Sequence, residues 1–431
     1  MSRGGRLIAV GISGLLVGLA LNQSFIPGTS SGTLNGFAPP DAFDILPGWL
    51  LASVGPYVVH ISRSMSTWFL PSFVRLADLS IFNVWTGHVI LALNHHGIAD
   101  LLADGPKSAE ELAEATGTDP QNLFRLLRVA VNAGVFSASN DRTAGGRPVF
   151  ANNALSTLMQ VDHPSAMHAA LQTTGLDAAG SWVQLSTSLS SGQVPFHAAY
   201  GQSLWEHLSA HPDKEKTFTR SMAASEGGGA LSVASQLDCS QYGTLVDVGG
   251  ASGSLLAEVL DRHSNLHGIL FDLPQVSMRS RTTWAQEHPH LINRTQIFGG
   301  SFLEPDSIPV IEESECPRPA YLLRFILHDW DTPWALKILR NVRQAMQAGP
   351  CHSTATLIII DQVLKDDFQW ELPQKLLMDI NMWATVGGQE RTLSEWQSLL
   401  AEAGFGMPHV QSTQGYNSII TTRLQDQLQK R

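Results

Sequence analysis

The stretch "YGTLVDVGGASGSLLAEVL", residues 242 to 260, limits what this chain can fold into more than any other. Leu245, Val246 and Val248 read as a short β-branched strand, ended by the loop Gly249-Gly250-Ala251-Ser252-Gly253. "SLLAEVL" then opens as a helix. A strand, a glycine turn and a helix make the ligand end of a doubly wound sheet. The spacing departs from GxGxxG, so a dinucleotide is a weak reading. Asp247 stands two residues before the first glycine, where a carboxylate suits an ammonium group and repels a pyrophosphate. Asp272 follows Gly253 by 19 residues and ends the strand "GILFD", where an acid can accept both ribose hydroxyls. A nucleoside with an amino-acid tail and no phosphate satisfies this set. S-adenosyl-L-methionine is the expected cofactor.

Further strands alternate with helices. "TQIFGGSF" ends near Ser301 and Phe302, where an adenine ring can be edged and stacked. "AYLLRFIL" ends at His328, and "ATLIIIDQVL" carries Asp361 near its end. That rhythm predicts a mostly parallel sheet with its binding groups at the carboxyl edge. Charging an imidazole at the end of an apolar run costs free energy. A structural histidine satisfied by a carbonyl competes with a catalytic one on the stretch alone. Its place at a strand end, where such folds bind ligands, favours chemistry.

Upstream the pattern is helical. From Trp68 onward, "FLPSFVRLADLSIFNVWTGHVILALNHHGIADLLADGP" spaces apolar residues at three and four. His95 and His96 have no further ligand at metal spacing, and Gly97 marks a helix end. Ser108 with Glu111 forms a capping box, Gly117 stops that helix, and Asp119-Pro120 open the next, which Gly134 ends. "RPVFANN" reads as a short strand. Two helices and a β-wing predict a winged helix. Only Arg125 and Arg128 are cations on its second helix, so a dimerising role is expected over DNA reading.

Composition supports a globular chain without a nucleic-acid footprint: 43% hydrophobic, 15% charged, net charge −11. The cysteines Cys239, Cys316 and Cys351 form no CxxC or Cys/His cluster, so neither zinc nor a disulfide framework is expected. The first residues differ. Arg3 and Arg6 precede "LIAVGISGLLVGLAL", residues 7 to 21, the pattern of a secretory signal or signal-anchor. Fifteen helical residues reach roughly 22 Å, short of a ~30 Å hydrocarbon core. A Gly/Ser/Pro-rich linker follows, and its "GFAPP" is similar to a plastid-targeting junction of algae with secondary plastids. Entry into the secretory pathway, or onward to a plastid, is the expectation. Residues 45 to 61 are apolar but broken by Pro47, Gly55 and Pro56, which fits core cover or a membrane surface better than a spanning helix. Membrane association through the N-terminal segment belongs to the same expectation.

"LVDVGGASG", "FDLP", "GGSFLEP", "LLRFILHDW" and "DINMWATVGGQERTLSEWQSLLAEAGF" occur in this order. In this the chain resembles the small-molecule O-methyltransferases of the plant caffeic acid and acetylserotonin type, over roughly Leu76 to Phe405. The resemblance implies a class I methyltransferase domain of doubly wound α/β type behind a helical, winged-helix dimerisation domain. The expected division is a targeting segment and linker at 1–40, a dimerisation domain at 41–162 and a catalytic domain at 163–431. It implies His328 as general base, flanked by Asp361 and Glu390. Asp361 stands where Glu is usual, one methylene shorter and holding the ring less closely. Implied cofactor contacts are Gly249, Asp272, Ser301, Phe302 and Arg324. These join Asp247, Gly250 and Gly253 of the loop. Ser301 replaces a common Asp, and Arg324 a common Lys. Trp205, Met222, Asn381, Met382 and Trp383 are candidate walls for the acceptor, with ordinary core packing the competing reading. The expected enzyme is a homodimer that needs no metal and methylates a small hydroxyl compound. Three other readings compete: the same fold acting on sulfur or nitrogen, a winged-helix regulator, and a scaffold that has lost methyl transfer.

Overall fold

The structure, a computed structural model, describes residues 71–139, 148–312, 318–367, 371–413 and 416–425. The expectations for the targeting segment, the linker and residues 45–61 lie outside these.

The described chain begins with a long apolar helix, α1 (Ser72–His95), which passes through a π-turn at Asp78–Phe82. His96 caps it and Gly97 follows in the left-handed region, as its sequence position predicts. β1 (Lys107–Ser108), α2 (Ala109–Thr116) and α3 (Pro120–Asn132) come next. The capping box at Ser108 and Glu111 forms, and Asp119 caps α3 with Pro120 in its first turn. β2 (Ser137–Ser139) and β3 (Val149–Ala151) complete an antiparallel sheet in the order β1-β3-β2. Leu93, Leu112, Leu127, Phe136 and Phe150 bury the common core of this region. The rest of α1 does not follow. Phe73, Leu76, Leu79, Phe82 and Trp85 point into solvent, an exposed apolar face too long to be incidental.

A longer helix, α4 (Pro212–Ala234), leads to the large sheet. Its elements are β4 (Tyr242–Val248), α5 (Ser254–Arg262), β5 (His267–Asp272), α6 (Pro274–Glu287) and β6 (Thr295–Gly299). Then come β7 (Arg318–Arg324), α7 (Thr332–Ala348), β8 (Thr356–Leu364), α8 (Pro373–Thr385) and β9 (Arg391–Thr392). α9 (Leu393–Glu402), β10 (His409–Ser412) and β11 (Asn417–Arg423) finish it. The strand order is β10-β11-β8-β7-β4-β5-β6, with β9 paired to β8. β4, β5, β6, β7, β8 and β9 pair in parallel, while β10 and β11 run antiparallel.

The central strands are apolar on both faces, as a sheet covered by helices requires. Leu357 and Ile359 of β8 face the core shared with α7 and α9, while Ile358 and Ile360 face that of α4 and α5. The chain moves outward from β4 through β5 and β6, then returns to β7 on the other side of β4. That reversal opens a crevice beyond the carboxyl ends of β4 and β7. One cysteine expectation needs correction: Cys351 is disulfide-bonded, while Cys239 is a free buried thiol.

Candidate active site

At the crevice, Asp247, Gly249, Gly250, Ser254, Leu255 and Arg324 line one cleft. Asp247 is buried at the end of β4, and Arg324 ends β7. A carboxylate and a guanidinium thus line a single cleft, the complement of a zwitterionic amino-acid tail. Gly250 is required by close approach. A Cβ there would sit 2.5 Å from Asp247 Oδ2 and from Leu270 Cδ1. Gly253 is the N-cap of α5.

Asp272 ends β5, next to the glycine loop. Its Oδ2 accepts the Ala251 N–H at 2.9 Å and its Oδ1 the Leu273 N–H at 2.7 Å. Burial raises its proton affinity, and these two backbone donors work against that. The carboxylate is fixed in orientation, with lone pairs left for two hydroxyls. Ser301 Oγ accepts the Leu303 N–H at 3.2 Å, and the Phe302 ring meets Trp330 edge-on at 6.1 Å. A buried acid, a facing cation, a cradle that a Cβ would fill and a pinned ribose acceptor fit S-adenosylmethionine. Asp247 would hold its ammonium, Arg324 its carboxylate and Asp272 its ribose.

Beside this cleft, His328 rides a 3-10 turn, Leu327–Asp329, just past β7. Its Nδ1 lies 3.0 Å from Glu390 Oε1 and 3.7 Å from Asp361 Oδ1. Asp361 belongs to β8, and pairing of Val363 with Arg391 brings Glu390 alongside it. The Glu390 N–H is in turn held by Asp379 Oδ1 at 2.9 Å. With Nδ1–H assigned as donor to Glu390, Nε2 is the nitrogen left for an acceptor.

Asp329 Oδ1 stands 3.5 Å from that Nε2, a third acid that the motif contained without its role being apparent. Burial opposes the imidazolium. Asp361, Asp329 and the Glu390 hydrogen bond outweigh burial and push His328 up to about 10. Burial likewise lifts Asp361 to about 7, against the pull of the imidazole. It lifts Asp329 to about 6. His328 therefore rests as the imidazolium near neutrality, beside acids whose proton affinity burial has raised.

Two further neighbours escaped the sequence reading. Phe325 is held at φ 53°, strained for a bulky residue, and its N–H donates to Ile360 O at 3.1 Å. Its ring stacks on His328 at 5.5 Å, with the Arg324 guanidinium 4.7 Å from its centroid. Arg391 lies beneath the turn that carries His328. No local signal marked either one, because their contacts come from residues apart in sequence or from an unusual φ.

The candidate acceptor residues divide. Asn381, Met382 and Trp383 lie on α8, which packs against the helix Pro195–Tyr200, and Met382 is buried. Trp205 is 43% exposed with its ring edge-on to Phe218, and Met222 is 38% exposed. His328, Asp361 and Glu390 offer ligand atoms within 4.8 Å of one another, close enough for a metal ion.

The fold and cleft together define an S-adenosylmethionine-binding methyltransferase of the doubly wound class. The O-methyltransferase domain model matches residues 182–406, and the O-methyltransferase dimerisation domain model matches residues 80–162. The chain belongs to this O-methyltransferase family. It is 33% identical to the mitomycin biosynthesis 6-O-methyltransferase of Streptomyces lavendulae, over 74% of this chain and 85% of that one. It is 31% identical to the 8-amino-8-demethylriboflavin N,N-dimethyltransferase of Streptomyces davaonensis, over 74% and 86%. Among solved structures, it is similar to a neocarzinostatin-biosynthesis O-methyltransferase crystallised with S-adenosylmethionine and a hydroxylated naphthoic acid. That match has a TM-score of 0.65 and 27% identity, covering 79% of this chain and 96% of that one. The protein is an S-adenosylmethionine-dependent small-molecule methyltransferase with a dimerisation domain.

Proposed function

We propose that the protein methylates a phenolic or enolic hydroxyl of a small molecule, with His328 as general base. The observation that carries this is the polarised imidazole: Nδ1 on Glu390 at 3.0 Å, which leaves Nε2, 3.5 Å from Asp329 Oδ1, as the nitrogen for the acceptor's proton. A hydroxyl oxygen is a poor nucleophile until its proton leaves, and Nε2 is the atom to receive that proton. When bound, S-adenosylmethionine supplies an electrophilic methyl group on a cationic sulfur. His328 gives up its resting proton more readily once a second positive charge shares the cleft. Glu390 and Asp361 then stabilise the imidazolium that re-forms, and Asp247, Arg324 and Asp272 hold the methyl donor in line.

The His328→Gln enzyme should bind S-adenosylmethionine as tightly as wild type while its turnover falls by ~10²–10⁴-fold. A loss within a few fold would sink the base role. It would favour an amine or sulfur acceptor, which needs no proton removed first; the N,N-dimethyltransferase relative keeps that second reading in play.

The homodimer belongs to the same proposal, with the exposed apolar face of α1 as its contact. So does the reading of α2, α3 and the small sheet as a winged helix that dimerises. Its cations are engaged locally: Arg125 bonds Asn122 Oδ1 at 3.1 Å, and Arg128 lies 5.9 Å from the Phe124 ring centroid. Delivery to the secretory pathway by the N-terminal apolar run completes it. A fluorescent fusion of residues 1–45 that stays cytosolic would reject that part.

A further inference from the structure

Arg391 is 1% exposed, an arginine placed where arginines are seldom found. Burying a guanidinium is costly unless its donors are used. Here they are spent on backbone carbonyls. Nη1 donates to Leu327 O at 2.7 Å, and Nη2 donates to Trp330 O at 2.8 Å. Those two carbonyls bracket His328 and Asp329. Burial disfavours its charge, and Asp361, Glu390, Glu395 and Asp331 act against that from a distance, but among the described residues its close contacts are these backbone carbonyls and not an ion pair.

The clamp is itself anchored. The guanidinium carbon lies 5.4 Å from the centroid of the fully buried Trp396, whose indole N–H donates to Gln362 O at 3.2 Å. Arg391 also pairs with Val363 in the β8–β9 ladder, two residues from Asp361. The neighbouring backbone grips the same turn, since the Gln389 N–H donates to His328 O at 2.9 Å. A Cβ on Gly388 would overlap that carbonyl oxygen. One short segment, 388–391, therefore supplies the acid that orients the imidazole and the contacts that hold its backbone.

We propose that Arg391 is a positioning residue for methyl transfer, gripping both ends of the His328 turn so that the imidazole stays aimed at the acceptor hydroxyl. This rests on the reading of His328 as proton acceptor. Arginine suits the task because its rigid fork spans two carbonyls at once. A lysine keeps the charge but presents a single flexible ammonium.

Arg391→Lys is the test, with kcat and KM measured separately and with the His328→Gln and double variants alongside. A misplacement of about 1 Å costs roughly 10²-fold, so kcat should fall about 10- to 100-fold. KM for both substrates should stay within about threefold. In the His328→Gln background the lysine substitution should add less than about twofold, because the group it positions is gone. A kcat within about twofold of wild type, or a loss that adds in full to that of His328→Gln, overturns the proposal. Near-wild-type turnover in His328→Gln alone overturns the base reading and this proposal with it. If the lysine variant fails to fold, Gly388→Ala pushes on the same turn from the other side. It should lower kcat at unchanged cofactor affinity, and an unaffected kcat would equally overturn the positioning role.

Discussion

At the cofactor end of the cleft, Ala251 and Asp272 are hydrogen-bonded across 21 residues of chain. At the acid–base end, His328 and Glu390 are joined across 62. The first end is one strand–loop–helix unit plus the next strand, held by backbone N–H groups and shaped by glycine. The second is assembled from β8, the 3-10 turn, and the segment before β9, and it is held by charge. A shape preset mostly by local backbone needs little from distant groups beyond Arg324 of β7. A balance of one imidazole against three carboxylates depends on each member. Binding and chemistry should therefore separate when the two ends are altered one at a time.

The largest separation is expected from Asp272→Ala. Hydrogen bonds to a charged acceptor contribute roughly 1.5–3 kcal/mol each, so calorimetry should show S-adenosylmethionine binding weakened by at least about tenfold. The acid–base cluster should stay intact, with the pH midpoint of the remaining activity unmoved. Equal weakening of cofactor binding by Asp272→Ala and by Glu390→Gln would erase the distinction between the ends.

A different contrast sets α1 against the sheet domain. Side chains of the central strands β4 and β8 are buried on both faces, whereas Phe82 and Trp85 are 51% and 60% exposed. Fully burying one large apolar side chain contributes about 1.5–3 kcal/mol. Replacing both with Glu should shift the chain toward monomer by light scattering at micromolar concentration. An unchanged dimer would place the contact elsewhere.

Smaller effects sharpen the charge balance. Asp361→Asn removes one carboxylate that favours imidazolium, so the pH at which turnover rises should move down. An upward move would contradict the assignment of that carboxylate. The smallest expected effect is none: a strong chelator should leave turnover unchanged. Loss of activity that added divalent metal restores would reassign His328, Asp361 and Glu390 as ligands.

The same contrast explains what the sequence revealed. The strand–glycine–helix unit, the Ser108–Glu111 box and the Asp119-Pro120 start were legible because each is local, with a fixed spacing that has one physical cause. The pairing of His328 with Glu390 was expected from resemblance rather than from periodicity, since no local pattern links residues so far apart. Asp329 was read as part of a motif, yet its position at Nε2 depends on how the 3-10 turn directs it. Arg391 gave no signal at all, because a buried arginine and an exposed one are spelled alike. The exposed face of α1 looked like an ordinary packed helix.

The dependence of kcat on pH, with both substrates saturating, tests the proton-acceptor role of His328 most directly. Asp361, Asp329 and Glu390 all favour the charged imidazole, so the account predicts turnover that rises with pH through a single group whose midpoint sits above the ordinary ~6.5. Glu390→Gln should draw that midpoint downward, because the imidazolium loses one of its anions. Turnover that is flat from about pH 6 to 8 in the wild type, and unmoved in the variant, would show that no proton passes through His328.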